Sequence, residues 1–168
     1  KKGTSLLTLS GTNQNSGVMT VNLGTLTYAA GASVNGAGGL VVAGVATGNV
    51  NSAYTNNAGG SIAVRNNGLV NFQGTGVVGL SAAPTSITNA ARLIVGDAST
   101  GTMSITGGSL LLTNGYGVIV GKGAGGYGAL NISGGAVTVT NTGSTNGGFM
   151  IGFGGGTGVV TVSGSAAL

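Results

Sequence analysis

Few residues in this chain have the types and spacing that ligand chemistry requires. Gly121-Lys122-Gly123-Ala124-Gly125-Gly126 follows an apolar strand pattern and matches G-x-G-x-x-G, the spacing with which a glycine-rich turn cradles a pyrophosphate at the start of a helix. That use needs a helix after the turn and an acidic residue about 20 positions on. Here the turn leads into another alternating segment, Ala129 to Ser133, and no acid follows Asp97. Gly74, Gly76 and Gly79 give the same pattern, as a chain with 38 glycines will do by chance.

Other chemistries fail for want of reagents. Gly125-Gly126-Tyr127-Gly128 resembles half of a calcium-binding β-roll repeat, but the aspartates that hold a hard cation are missing. Glycoside hydrolysis ordinarily needs two carboxyl groups, and nucleophilic triads need a base beside the nucleophile. The chain has one acid, no histidine and no cysteine. Lys122 with Tyr127 or Tyr116 reads as a solvated loop, and Asp97 with Arg92 as a surface pair worth under about 1 kcal/mol. Thr138, Thr140 and Thr142, with Thr25 and Thr27, suggest a flat threonine face, but the positions equivalent to Thr138 are Leu111 and Leu168, which breaks the row. Asn131-Ile132-Ser133 is a formal glycosylation sequon inside a predicted strand. No catalytic, cofactor-binding or metal-binding residue is assigned, and no cofactor is expected.

The elements around these residues are far more legible. Leu93-Ile94-Val95-Gly96 returns as Val118-Ile119-Val120-Gly121 and as Phe149-Met150-Ile151-Gly152. Gly101 to Gly108 returns as Gly128 to Gly135 and as Gly158 to Ser165, and a third block follows each time: Ser109 to Leu112, Ala136 to Val139, Ala166 to Leu168. The spacings run from 25 residues (Val95 to Val120) to 31 (Val120 to Ile151), periods that belong to solenoids, propellers and arrays. Within a block, apolar residues alternate (Met103 and Ile105, Leu130 and Ile132, Val160 and Val162), the two-residue period of a strand with one buried face. Three short strands separated by glycine-rich turns, then the same three again, predict an all-β chain wound as a parallel β-helix, or β-solenoid. Each strand would bond its equivalent one coil up and down.

Composition agrees. Glycine at this level hints at disorder, yet 41% of residues are apolar and regularly spaced, which a disordered chain lacks. Five cations, Lys1, Lys2, Arg65, Arg92 and Lys122, face Asp97 alone, so the basic balance reflects missing carboxylates. The cations are scattered rather than clustered on a basic face, so no nucleic-acid partner is expected. A surface with so few charges does little to keep copies apart. The longest run of apolar residues and glycine, Gly36 to Ala46, is too short for a membrane span. Without cysteine the redox compartment stays open, and a chain opening on Lys1 without a leader pattern is expected to be a mature or excised segment.

Taken in order, Leu7 to Leu26 gives three alternating strands, marked by Leu7 and Leu9, Met19 and Val21, and Leu26 with Tyr28, punctuated by Gly11, Gly17 and Gly24. The same stretch, with its Leu-Thr-Leu-Ser-Gly, Thr-Asn, Ser-Gly, Thr-Val-Asn and Gly-Thr-Leu, closely resembles the passenger-associated β-strand repeat of bacterial autotransporters and related secreted repeat proteins. Val18 and Met19 stand where that family often has Gly and Thr. The resemblance covers about one coil, and Leu93 to Leu168 looks like the looser glycine-rich repeats of such proteins. It implies an exported solenoid forming a stalk, fibre or adhesin body, and no active site. From Gly31 to Gly60 the pattern loosens: Leu40-Val41-Val42 and Val45 are strand candidates, and Asn49 to Asn57 reads as a polar loop. Gly68 to Gly74 fits the second block 33 residues before Gly101, and Pro84 marks a loop over Ser81 to Ala91.

The expectation is one domain, 1–168, of about six three-stranded coils, roughly 30 Å long at about 4.8 Å per coil. Its function is read as an extracellular, cell-surface structural subunit whose partner is itself, joined head to tail into a fibre, sheath or stalk. The end coils supply the contact, through Leu7 and Leu9 at one end and Val160 and Val162 at the other. The alternative is an adhesin module that binds cell-surface glycans or host protein through the loops Asn49 to Asn57, Ser81 to Ala91 and Asn141 to Gly148.

Overall fold

The computed structural model describes residues 1–15, 17–36, 39–51, 53–56, 62–64, 66–72, 77–81, 92–107, 109–113, 117–140 and 148–168. Among them every element is a β-strand. The first nine, in threes, are β1 (Leu6–Leu9), β2 (Thr12–Asn15), β3 (Met19–Val21); β4 (Gly24–Tyr28), β5 (Ser33–Gly36), β6 (Leu40–Val42); β7 (Ala46–Val50), β8 (Ala53–Asn56), β9 (Ile62–Val64). The next nine are β10 (Gly68–Phe72), β11 (Val77–Ser81), β12 (Arg92–Asp97); β13 (Thr100–Ile105), β14 (Ser109–Thr113), β15 (Gly117–Lys122); β16 (Tyr127–Ile132), β17 (Ala136–Thr140), β18 (Phe149–Phe153). The last is β19 (Thr157–Val162).

The chain visits three sheets in rotation. The first runs β1-β4-β7-β10-β13-β16-β19, the second β2-β5-β8-β11-β14-β17 and the third β3-β6-β9-β12-β15-β18. All pairings are parallel, each strand bonding the one three elements along. The predicted equivalences hold: Val95 pairs with Val120 and Val120 with Ile151, Ile105 with Ile132 and Ile132 with Val162, and Gly68 with Gly101. One slips. Ala136 pairs with Ala167 rather than Ala166, because the turn from Val162 to Ala167 is one residue longer than that from Ile132 to Ala136.

Alternation puts one set of side chains inside. Leu26, Val21, Val42, Val64, Val95 and Met103 are each fully buried, in one core cluster that includes Leu110 and Val137 of the second sheet. Burying each such aliphatic side chain is worth about 1.5–3 kcal/mol. Glycine serves a packing need where the third sheet turns into the first. Gly68, Gly101, Gly128 and Gly158 lie in register, and a Cβ on Gly128 would collide with the Val95 carbonyl oxygen.

Three expectations need correction. First, β2 reads Thr-Asn-Gln-Asn and carries no apolar residue to mark it as a strand. The three strands read across Leu7 to Tyr28 are four, and Leu26 with Tyr28 opens the next set. Second, Asn49 to Asn57 is not a loop over its described residues, since Asn49 and Val50 end β7 and Ala53–Asn56 is β8. Third, Val45 is a turn residue, 73% exposed. In the third sheet the burial is two-sided where the first sheet alternates: the middle residues Ile94 and Ile119 are 6% and 1% exposed, which is why Leu-Ile-Val and Val-Ile-Val are apolar throughout. Residues 82–91 and 141–147, which hold Pro84, Thr142 and most of the two remaining proposed loops, lie outside the described residues.

Candidate assembly surfaces

The four residues expected at the ends lie on the two edge strands of the first sheet. Leu7 and Leu9 are on β1, in register with Leu26 and Tyr28. Val160 and Val162 are on β19, in register with Leu130 and Ile132. Six strand spacings of about 4.8 Å separate the two edges, so one copy of the chain does not bring the pairs together. They belong to the same two inward columns. One passes through Leu26, Met103 and Leu130, the other through Tyr28, Val50, Ile105 and Ile132, all at most 1% exposed.

At the edges the columns open. Leu7 is 37% exposed and Val162 45%, while Leu9 and Val160 are half-buried against the core. Ile151, on the outermost strand of the third sheet, is 55% exposed although Val120, its partner in the ladder, is fully buried. These side chains occupy core positions and lack only a further strand on top. Leu6 (64%), Phe153 (48%) and Val159 (43%) add to the exposed apolar surface of these edge strands. The sequence signal for Phe153 and Val159 was present in the repeat, where they follow Gly152 and Gly158, but alternation alone marks them as outward.

Not every edge is bare. The Lys1 α-amino group donates to the Thr20 carbonyl at 2.8 Å, and the Asn22 N–H donates to the Lys1 carbonyl at 3.0 Å. Lys1 thus lies across the outer edge of β3 as one rung of a strand, and Val21 beneath it is fully buried. At the other end Ala167 does the same for β17: its N–H donates to Gly135 and its carbonyl accepts from Val137, both at 3.0 Å. The Ala167 rung was legible in the repeats, one residue out of register, and the Lys1 rung was not.

The ionic chemistry lies on the flank. The side chain of Arg92, the partner expected for Asp97 from sequence proximity, is not among those the structure describes; Asp97 is engaged across the ladder instead of along the strand. It accepts from Lys122 at 2.9 Å, the residue facing it across the β12–β15 ladder. Gly96 and Gly121 just before them, at φ 79° and 73°, break the in-out alternation, so Asp97 and Lys122 emerge side by side at the surface instead of entering the core. The Gly121–Gly126 stretch is the end of β15 and a turn closed by the Gly126 N–H on the Gly123 carbonyl at 2.9 Å. It leads into β16, not a helix. Its lysine is engaged by Asp97.

The threonines singled out in the sequence do not share a face: Thr25 and Thr27 are on the first sheet and Thr138 on the second, where it pairs with Leu111. No group of three or more His, Cys, Asp or Glu side chains gathers among the described residues, and no helix there is long and apolar enough to cross a membrane. What the arrangement offers chemically is a pair of parallel sheet edges with unpaired backbone groups and apolar columns ending beneath them. In comparison with known proteins, the chain matches no family model, no curated protein and no solved structure.

Proposed function

We propose that this chain is a structural β-solenoid, a parallel β-helix of about six three-stranded coils, whose work is to stack end to end with copies of itself into an extracellular fibre, sheath or stalk. The observation that carries the reading is the exposure of Leu7 at one end and Val162 at the other, on two neighbouring inward columns whose described members between the edge strands are buried. Open parallel edges are templates for another strand, and a contact between unlike ends that does not close on itself extends into a filament. The third-neighbour pairing of every strand supports a winding chain, and a surface with five cations and one acid offers little repulsion between copies. A secreted, cell-surface setting follows from the resemblance of Leu7–Leu26 to autotransporter passenger repeats.

The test is the size of the purified chain as concentration rises, by sedimentation velocity and negative-stain electron microscopy. Rods lengthening in steps of about 30 Å are expected, and Val162→Glu, which puts a carboxylate on the exposed column end, should hold the chain as monomers. Monomers of the unaltered chain at every concentration would sink the reading.

A further inference from the structure

We infer that, where copies join end to end, β19 of one pairs with β1 of the next in a single register: Val160 over Leu7, Thr161 over Thr8 and Val162 over Leu9. The inference rests on the end-to-end reading above and adds which of three first-layer strands receives the incoming edge.

The three candidates are β1, β2 and β3, the outermost strands of the three sheets. A partner strand on β2 would set the inward valines of β19 over the column that begins at Asn13, whose side-chain NH2 donates to the Gly11 carbonyl at 3.1 Å, so that an apolar side chain would cover a polar amide and take water from its oxygen, at a cost of about 1–3 kcal/mol. On β3 the apolar pattern would suit, but Lys1 already holds that edge through its hydrogen bonds with Thr20 and Asn22. β1 alone is both apolar inward and open, with Leu6 64% and Leu7 37% exposed.

Register follows from the rows. The outward position of the first sheet is polar from end to end: Thr8 pairs with Thr27, Thr27 with Asn49, Asn49 with Asn71, Ser104 with Asn131 and Asn131 with Thr161. Placing Thr161 over Thr8 continues that row and both inward columns together. A one-residue slip would turn every apolar side chain to the wrong face, and a two-residue slip would leave half of each column uncovered. Parallel pairing also requires that both copies run the same way, so the filament is polar.

The chain contains no cysteine, so introduced thiols report cleanly. Neighbouring Cα atoms across a ladder lie about 4.8 Å apart, within disulfide reach. Thr8 and Thr161 are both exposed, so Thr8→Cys with Thr161→Cys in one chain leaves the core untouched. On mild oxidation, or with a short bis-thiol linker, this double variant should give a ladder of covalent multimers. Thr8→Cys with Val159→Cys tests the slipped register, and Thr20→Cys with Thr161→Cys tests docking on β3. Both should stay monomeric on denaturing gels, and circular dichroism checks that each variant keeps its β signature. Cross-linking through either of these two pairs, or filaments by microscopy with no cross-link through Thr8 and Thr161, would overturn the register and leave end-to-end stacking standing. Absence of multimers in every variant and in the unaltered chain would remove both.

Discussion

Asn71 donates its side-chain amide to the Oδ1 atom of Asn49, its neighbour across the ladder, at 3.0 Å, and Asn49 in turn donates to the Thr27 hydroxyl at 3.3 Å. The three residues form a hydrogen-bonded file across the outer surface of the first sheet, with all donors pointing toward β1. Because identical spacing stacks like on like, such a file fixes which residue pairs with which, in a region where apolar residues are sparse. Asn49→Ala removes both bonds at once. Each is partly exposed, so the expected loss is about 1–2 kcal/mol in all, read as a lower urea midpoint with an unchanged slope.

Gly128 is held by packing, not by dihedral angle. A methyl group there would meet the Val95 carbonyl, the Gly121 amide nitrogen and the Val120 side chain at once, and backbone has no rotamer by which to move away. Gly128→Ala should cost about 3 kcal/mol or more, at the upper end of overpacking. Gly125→Ala separates this from backbone strain. Gly125 has φ 76° and open space around its missing side chain, so it should lose only about 1–2 kcal/mol. Thermal melts of the two variants would show the order, and equal losses would remove the packing argument.

What the sequence revealed tracked how evenly the chain repeats. From Leu93 onward the successive sets differ in length by a few residues and carry the same Gly and Val at the same places, so Val95, Val120 and Ile151 align by eye. Earlier sets are shorter: Leu7 to Leu26 is 19 residues, and Thr27 to Asn49 and Asn49 to Asn71 are 22 each. A search tuned to longer periods passes over them. Strands such as β2 and β8 were missed for a second reason. Alternation is visible only when one face is apolar, and Thr12–Asn15 offers the eye nothing but polar side chains. The Asp97–Lys122 pair was hidden because its partners are 25 residues apart and become neighbours only through the ladder. The open columns were half legible: Leu7, Leu9, Val160 and Val162 could be named from the repeat, and the third block placed Ala166 to Leu168 beside Ala136 to Val139 to within one residue, but that Lys1 covers the edge of β3 could not be read.

Position along a column, not residue type, sets what a leucine is worth. Leu130 and Leu7 share one column of the first sheet, yet Leu130 is fully buried and Leu7 is 37% exposed. Leu130→Ala should cost about 2–5 kcal/mol, the transfer loss plus the cavity. Leu7→Ala in the monomer should cost under about 1 kcal/mol, since much of its side chain already meets water. Under assembling conditions the order of effects on filament length should reverse, because Leu7 then becomes interior. Urea titration of dilute chain and light scattering of concentrated chain would read the two separately.

The Tyr28 ring sits in the inward column between Leu9 and Val50 and is 1% exposed. Burial disfavours the phenolate, so its pKa is raised above the ordinary value near 10. In the unfolded chain the same hydroxyl ionises at about 10. The folded state therefore binds the proton more tightly, and its stability from this group is complete below about pH 10 and is lost as pH climbs from there through the folded value. Stability should be flat with respect to Tyr28 at neutral pH and fall above about pH 10. Tyr28→Phe removes the ionisable group while keeping the ring, so it should flatten the alkaline limb of the stability curve. Urea midpoints measured from pH 8 to 11.5 for both chains would decide it, and an unaltered alkaline slope in Tyr28→Phe would show that this hydroxyl does not govern the transition.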